Sequence, residues 1–60
     1  MKYIERKKQI LSYLTNGNGV GDITNMCKKL YVSRSTLRRD LITLEEEGMI
    51  KRHHGGISLI

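Results

Sequence analysis

Proline, tryptophan and phenylalanine are absent from this 60-residue chain, cysteine occurs once, and three tyrosines are the only aromatics. A single cysteine, Cys27, rules out an intrachain disulfide and agrees with a reducing compartment. Cys27 falls on an apolar helix face and reads as a small core residue. No apolar run approaches the roughly 20 residues of a membrane span, and Met1 is followed by a charged, broken segment unlike a signal peptide. The expectation is a cytoplasmic protein with no membrane partner. Also missing are a glycine-rich phosphate loop, a paired-carboxylate arrangement and a nucleophile–base pair. Adjacent His53 and His54 with one distant cysteine lack zinc spacing. One small domain spanning residues 1–60 is all this length allows, and an enzyme pocket is hard to build in it. The reading is therefore not an enzyme, with no cofactor and no metal.

What the chain does have is positive charge. Eleven Lys and Arg against six Asp and Glu give +5 and a pI near 9.7. An acidic partner follows, although the balance alone does not choose between DNA, RNA and an anionic membrane.

The choice comes from Tyr31 to Gly48, YVSRSTLRRDLITLEEEG. Ser33 is a good N-cap, Val32 and Leu37 have the spacing of a hydrophobic staple, and Gly48 is suited to a helix end with positive φ. Leu37, Leu41 and Leu44 form an apolar stripe, so a helix over about 33–47 is predicted. Its charges run against the macrodipole: Arg34, Arg38 and Arg39 lie in the N-terminal half and Glu45, Glu46 and Glu47 in the last turn. That arrangement forgoes roughly 0.3–1 kcal/mol per well-placed group. Cations and free N–H groups at a helix start suit a polyanion whose backbone and base edges meet the first two turns. Ser35 and Arg39 fall opposite the leucines, with Arg34 and Arg38 on one flank and Thr36 on the other. The glutamates are expected to face away from the phosphates.

Upstream, a first helix over about 2–15 has Ile10, Leu11 and Leu14 as its apolar face, extended one or two turns earlier by Tyr3 or Ile4. Lys2, Arg6, Lys7 and Lys8 cover the remainder, a run that reads first as a solvated face and second as a phosphate contact. Asn16-Gly17-Asn18-Gly19 stops this helix. Val20 then forms a short extended piece able to pair with one edge of a later hairpin. Asp22 caps a second helix over about 22–31, carrying Ile23, Met26, Cys27 and Leu30 on one face. Two or three residues separate it from the cap at Ser33, the tight spacing of a helix-turn-helix.

After Gly48, two short segments flank Gly55-Gly56, which is expected to form a two-residue hairpin turn. Lys51, Arg52, His53 and His54 make this hairpin, over about 49–60, a basic wing able to reach phosphate or a minor groove. The alternative is a hairpin that simply closes the core through Ile50, Ile57 and Leu59, with its polar side solvated. The predicted fold is thus mostly α with a small β-hairpin: a winged helix-turn-helix of three helices plus a wing. The predicted DNA-binding residues are Ser33, Arg34, Ser35, Thr36, Arg38, Arg39, Lys51, Arg52, His53 and His54.

With these elements placed, VSRSTLRRDLITLEEEGMIKRHHGG resembles the N-terminal DNA-binding domain of the DeoR family of bacterial transcriptional regulators. The similarity reaches back through ILSYLTNGNGVGDI and so covers nearly the whole chain. Its diagnostic pieces are Val32-Ser33, the block from Thr36 to Leu41, Leu44-Glu45 and the block from Arg52 to Gly56. The resemblance implies an operator-binding protein, usually a repressor of sugar or nucleoside catabolism genes. On it Ser33, Ser35, Thr36, Arg38 and Arg39 match the recognition-helix positions, and Arg52, His53 and His54 match the wing. Three residues depart from the pattern. Tyr31 stands where glycine is frequent, Gly21 where a β-branched residue is more usual, and Ile42 on the outward side where polar residues are usual. Family members generally continue into a sugar-phosphate-binding domain that senses an inducer and drives oligomerisation. This chain stops at Ile60, either as an excised domain or as a small protein that kept only the reader.

Two rivals stand beside the reading. One is the regulatory winged helix of biotin-ligase-type repressors, against which the HHGG wing argues. The other is a protein-interaction winged helix in which Ile42 and the leucine edges contact a partner helix and the arginines only solubilise.

Overall fold

The computed structural model describes residues 2–60, along which lie α1 (Tyr3–Asn16), β1 (Val20–Gly21), α2 (Ile23–Leu30), α3 (Arg34–Glu46), β2 (Ile50–His53) and β3 (Gly56–Leu59). Local chemistry sets these boundaries. α1 ends where Asn18 takes the left-handed conformation at φ 61°. The Asn18 and Gly19 amides then turn back to the carbonyls of Thr15 and Leu14, at 3.3 and 2.6 Å, and satisfy acceptors the helix leaves open. Asparagine tolerates this geometry better than other side chains.

α2 begins at Asp22, whose carboxylate accepts the Asn25 amide at 3.2 Å and the Asn25 side-chain amide at 2.7 Å. Ser33 does the same for α3, accepting the Thr36 amide at 3.2 Å. Between them run only Tyr31, Val32 and Ser33, the short turn of a helix-turn-helix. α3 closes at Gly48, with φ 78° and amide bonds from Gly48 to Glu45 and from Met49 to Leu44, both 3.0 Å.

Apolar side chains from every layer meet in one cluster: Ile10 and Leu14 of α1, Met26 of α2, Leu37, Leu41 and Leu44 of α3, and Ile50 and Ile57 of the sheet. Leu11, Tyr13, Ile23, Cys27, Leu30, Val32 and Leu59 pack on its margin. At the start of α1 the half-buried residue is Tyr3, while Ile4 is exposed. Tyr3 is therefore the one that lengthens the inner face.

The strands form an antiparallel sheet in the order β1-β3-β2, with Val20 opposite Ser58 and Ile50 opposite Leu59. Val20 thus pairs with the free edge of the hairpin. The hairpin turn differs from the expected Gly55-Gly56. His53 pairs with Gly56, so the two loop residues are His54 and Gly55. Gly55 has φ +87° and His54 a negative φ, the sign pattern of a type II turn, which requires glycine only at the second central position. Gly56 is left free to begin β3. Gly21 is explained by its neighbours in α1. A Cβ there would lie 2.9 Å from the Tyr13 ring and 3.0 Å from Leu14 Cδ2, so β1 can lie this close to α1 only without a side chain. No helix among the described residues is long and apolar enough to cross a membrane.

Candidate nucleic-acid interface

α3 carries no acidic residue in its first turn and no basic one in its last. Its N-terminal hydroxyls form a small network, in which Ser33 Oγ lies 3.0 Å from Thr36 Oγ1 and 3.3 Å from Ser35 Oγ. Arg34 reaches back to α2, donating from Nη2 to Thr24 Oγ1 at 2.7 Å. That bond links the first turn of α3 to the first turn of α2. Arg38 and Arg39 are exposed, and neither is paired with a carboxylate among the described residues. Arg34, Ser35, Arg38, Arg39 and Ile42 line a shallow depression on the outer side of α3. A second open groove lies between α1 and the end of α2, lined among others by Lys8, Tyr13, Lys29 and Tyr31. None of the ten sequence-predicted residues borders it.

The acidic end of α3 is used differently. Glu45 Oε1 takes Arg52 Nε at 2.9 Å, and its Oε2 takes the Arg52 backbone amide at 3.1 Å. The amide bond first, and then the guanidinium, hold the Glu45 carboxyl below its ordinary pKa. Glu47 lies 3.4 Å from Lys7 Nζ and accepts the Tyr3 hydroxyl at 3.3 Å. Burial, and after it the charge of Glu47, raise the Tyr3 phenol. Glutamates that oppose the macrodipole are thus offset by cations from the wing and from α1. The result is a division of labour along one helix, with Glu45 and Glu47 compensated at its end and positive charge without a carboxylate partner at its beginning.

On the wing, alternation separates the four basic residues. Lys51 pairs with Ser58 and His53 with Gly56, so they point to the outer face, and His53 Nε2 lies 2.6 Å from Ser58 Oγ. Arg52 shares the inner face with Ile50 and Ile57 and leans on α3 through Glu45. His54 stands at the tip. The structure therefore brings Ser33 to Arg39 together on two turns of α3 and distributes Lys51 to His54 over two faces and the turn. Among the described residues no three His, Cys, Asp or Glu side chains gather as they would around a metal ion.

Thr24 and Glu45 also shape this surface by holding Arg34 and Arg52, and the buried Asp40 takes Arg6 of α1, contacts that the sequence pattern does not place. Asp40 did leave a signal, because it falls on the same helix face as Leu37, Leu41 and Leu44, where a charge needs a partner. Thr24 left none, since its contact with Arg34 is made across the turn.

Comparison with known proteins places the chain in a family. The model of the DeoR-like helix-turn-helix domain matches residues 6–60. A transcriptional regulator of Listeria innocua, GolR, is 43% identical over 56 residues, which span 93% of this chain and 22% of the regulator. The Bacillus subtilis transcriptional repressor GlcR is 44% identical over 55 residues, 92% of this chain and 21% of the repressor. The glycerol-3-phosphate regulon repressor of Escherichia coli is 37% identical over 59 residues, 98% of this chain and 23% of its own length. The chain thus spans about a fifth of the length of these relatives, and no solved structure matches it. Because the matched span runs from Arg6 on α1 through both helices of the turn to the last strand of the wing, the chain belongs to the DeoR-like helix-turn-helix domain family.

Proposed function

We propose that residues 1–60 are one DNA-binding unit, the operator-reading part of a cytoplasmic transcriptional repressor of sugar or nucleoside catabolism genes. Its partner is duplex DNA, and no catalytic step belongs to this reading. The observation that carries it is the pair Arg38 and Arg39, exposed near the start of α3 with no carboxylate partner among the described residues, on a helix whose Glu45 and Glu47 are already occupied by Arg52 and Lys7. Family membership and the repressors among the relatives support the same conclusion. Ser33, Arg34, Ser35, Thr36, Arg38 and Arg39 would meet the major groove, and Lys51, Arg52, His53 and His54 the flanking backbone. In the whole protein the reader would act beside an inducer-sensing domain, as a dimer or higher oligomer on a two-fold site, because one module makes few phosphate contacts.

The test is fluorescence anisotropy of the 60-residue chain on labelled duplexes at several salt concentrations. Weak binding whose log K falls linearly with log salt is expected. Salt-independent binding, or none, would overturn the assignment, and nanomolar binding of a monomer to one short site would overturn the argument from avidity.

A further inference from the structure

Six large apolar side chains are exposed among the described residues, and of these only Ile42 lies on the basic face of α3. Ile42 is 39% exposed and stands outside the core cluster, although Leu41 beside it is fully buried. Its neighbours in the shallow depression of α3 are Arg34, Ser35, Arg38 and Arg39. Covering it with an apolar partner helix would strip water from these guanidinium groups without replacing their hydrogen bonds, a costly step. A surface that offers anionic and polar atoms around one apolar spot suits the site better. The major groove of DNA is such a surface: its base edges are polar except for the C5-methyl group of thymine.

Resting on the DNA-reading function above, we propose that Ile42 is a specificity-determining residue that packs against a pyrimidine C5-methyl group next to the base pair read by Arg39. The spacing supports this. At about 1.5 Å of rise per residue, Ile42 lies about 4.5 Å along the helix from Arg39. Base pairs follow one another at about 3.4 Å, so the two side chains address neighbouring steps. Isoleucine is stiff at χ1 and gives up little side-chain freedom when its methyl groups are covered.

The experiment tethers the 60-residue chain densely on beads, selects duplexes from a random library, and then replaces each thymine of the selected site by uracil in turn. At one T·A pair beside the Arg39 step, uracil should weaken wild-type binding about three- to fivefold, the size expected for one covered methyl group. Ile42→Ala should bind the thymine and uracil duplexes equally, while Ile42→Val keeps part of the preference. Thermal unfolding of Ile42→Ala should match wild type, since the side chain is outside the core. The proposal is overturned if no uracil position weakens binding, or if Ile42→Ala loses as much as wild type at the same position. Failure of the DNA-reading function itself has a different signature: no sequence is enriched and duplex binding does not respond to salt.

Discussion

Arg6 and Asp40, 34 residues apart, form a two-point ion pair that ties α1 to α3, with Nε at 2.5 Å from Oδ2 and Nη2 at 3.2 Å from Oδ1. Donating these hydrogen bonds to the Asp40 carboxylate raises the Arg6 guanidinium above its usual pKa. The Asp40 side chain is 5% exposed and that of Arg6 20%, so the two ends of the pair are not equivalent. Removing Arg6 leaves a carboxylate in the interior with no cation, whereas removing Asp40 leaves a guanidinium whose flexible stem can swing into water. Urea midpoints should therefore fall in the order wild type, Asp40→Ala, Arg6→Ala, and the double variant should not lie below Arg6→Ala alone. A midpoint for Arg6→Ala at or above that of Asp40→Ala would refute this account.

Tyr31 closes α2 in the left-handed conformation, φ 56° and ψ 45°, with its side chain 93% exposed. A left-handed tyrosine is strained by roughly 1–2 kcal/mol, and glycine relieves that strain at the cost of a more flexible unfolded chain. Few contacts are lost, because the ring is in solvent. Tyr31→Gly should raise stability by about 0.5–1 kcal/mol in thermal or urea unfolding, and Tyr31→Ala should not raise it. DNA affinity should stay the same.

Ser33 is both the cap of α3 and the hub of its hydroxyl network. Ser33→Ala should lower stability by about 1 kcal/mol through the lost cap. It should also weaken DNA binding, because the Thr36 amide and the Ser35 and Thr36 hydroxyls all lose a partner in the turn proposed to face the groove. Thermal unfolding and anisotropy on the same variant check both parts, and an unchanged melting temperature would contradict the cap.

Features that depend on neighbours in sequence were legible beforehand. The caps at Asp22 and Ser33, the leucine stripe of α3 and the left-handed Gly48 each follow from residue type and short spacing. The hairpin turn lies one residue earlier than the Gly55-Gly56 pair suggests, because the two glycines look alike in sequence and only the strand register decides which of them bends. Contacts across the fold were not legible. Arg6 reads as one more cation on a wet helix face until α3 is packed against it, and Glu45 reads as the acidic end of a helix until the wing folds back over it. In the candidate site, the clustering of Ser33 to Arg39 could be read from helical periodicity. The separation of Lys51 and His53 from Arg52 needed the strand register.

Glu45 makes a pH prediction. Its folded-state pKa lies below the ordinary 4.5, so its bonds to Arg52 contribute stability that is present above pH 4.5 and lost as pH falls through the lowered value. Glu45→Gln removes that titration. Melting temperatures from neutral to acid pH should show wild type falling more steeply than Glu45→Gln below pH 4.5, with the curves converging at the acid end. Parallel curves would mean that the carboxylate does not hold the wing.

Arg39 and Arg52 separate reading from positioning. Arg39 is exposed, has no carboxylate partner among the described residues and lies opposite the leucine stripe, so on the proposed function it would make a bidentate contact to guanine worth about 1–3 kcal/mol of discrimination. Arg52 has its Nε taken by Glu45 and only its terminal nitrogens left to meet a phosphate. Arg39→Ala should flatten the preference between a duplex selected from random sequence and a scrambled one. Arg52→Ala should weaken both duplexes about equally and reduce the magnitude of the salt slope by no more than about one unit, because Glu45 already offsets part of its charge. Titrations of both variants on both duplexes at several salt concentrations measure the two effects together. If Arg39→Ala kept the full preference for the selected duplex, α3 would not be the reading element, and the arginines would be left with attraction to phosphate alone.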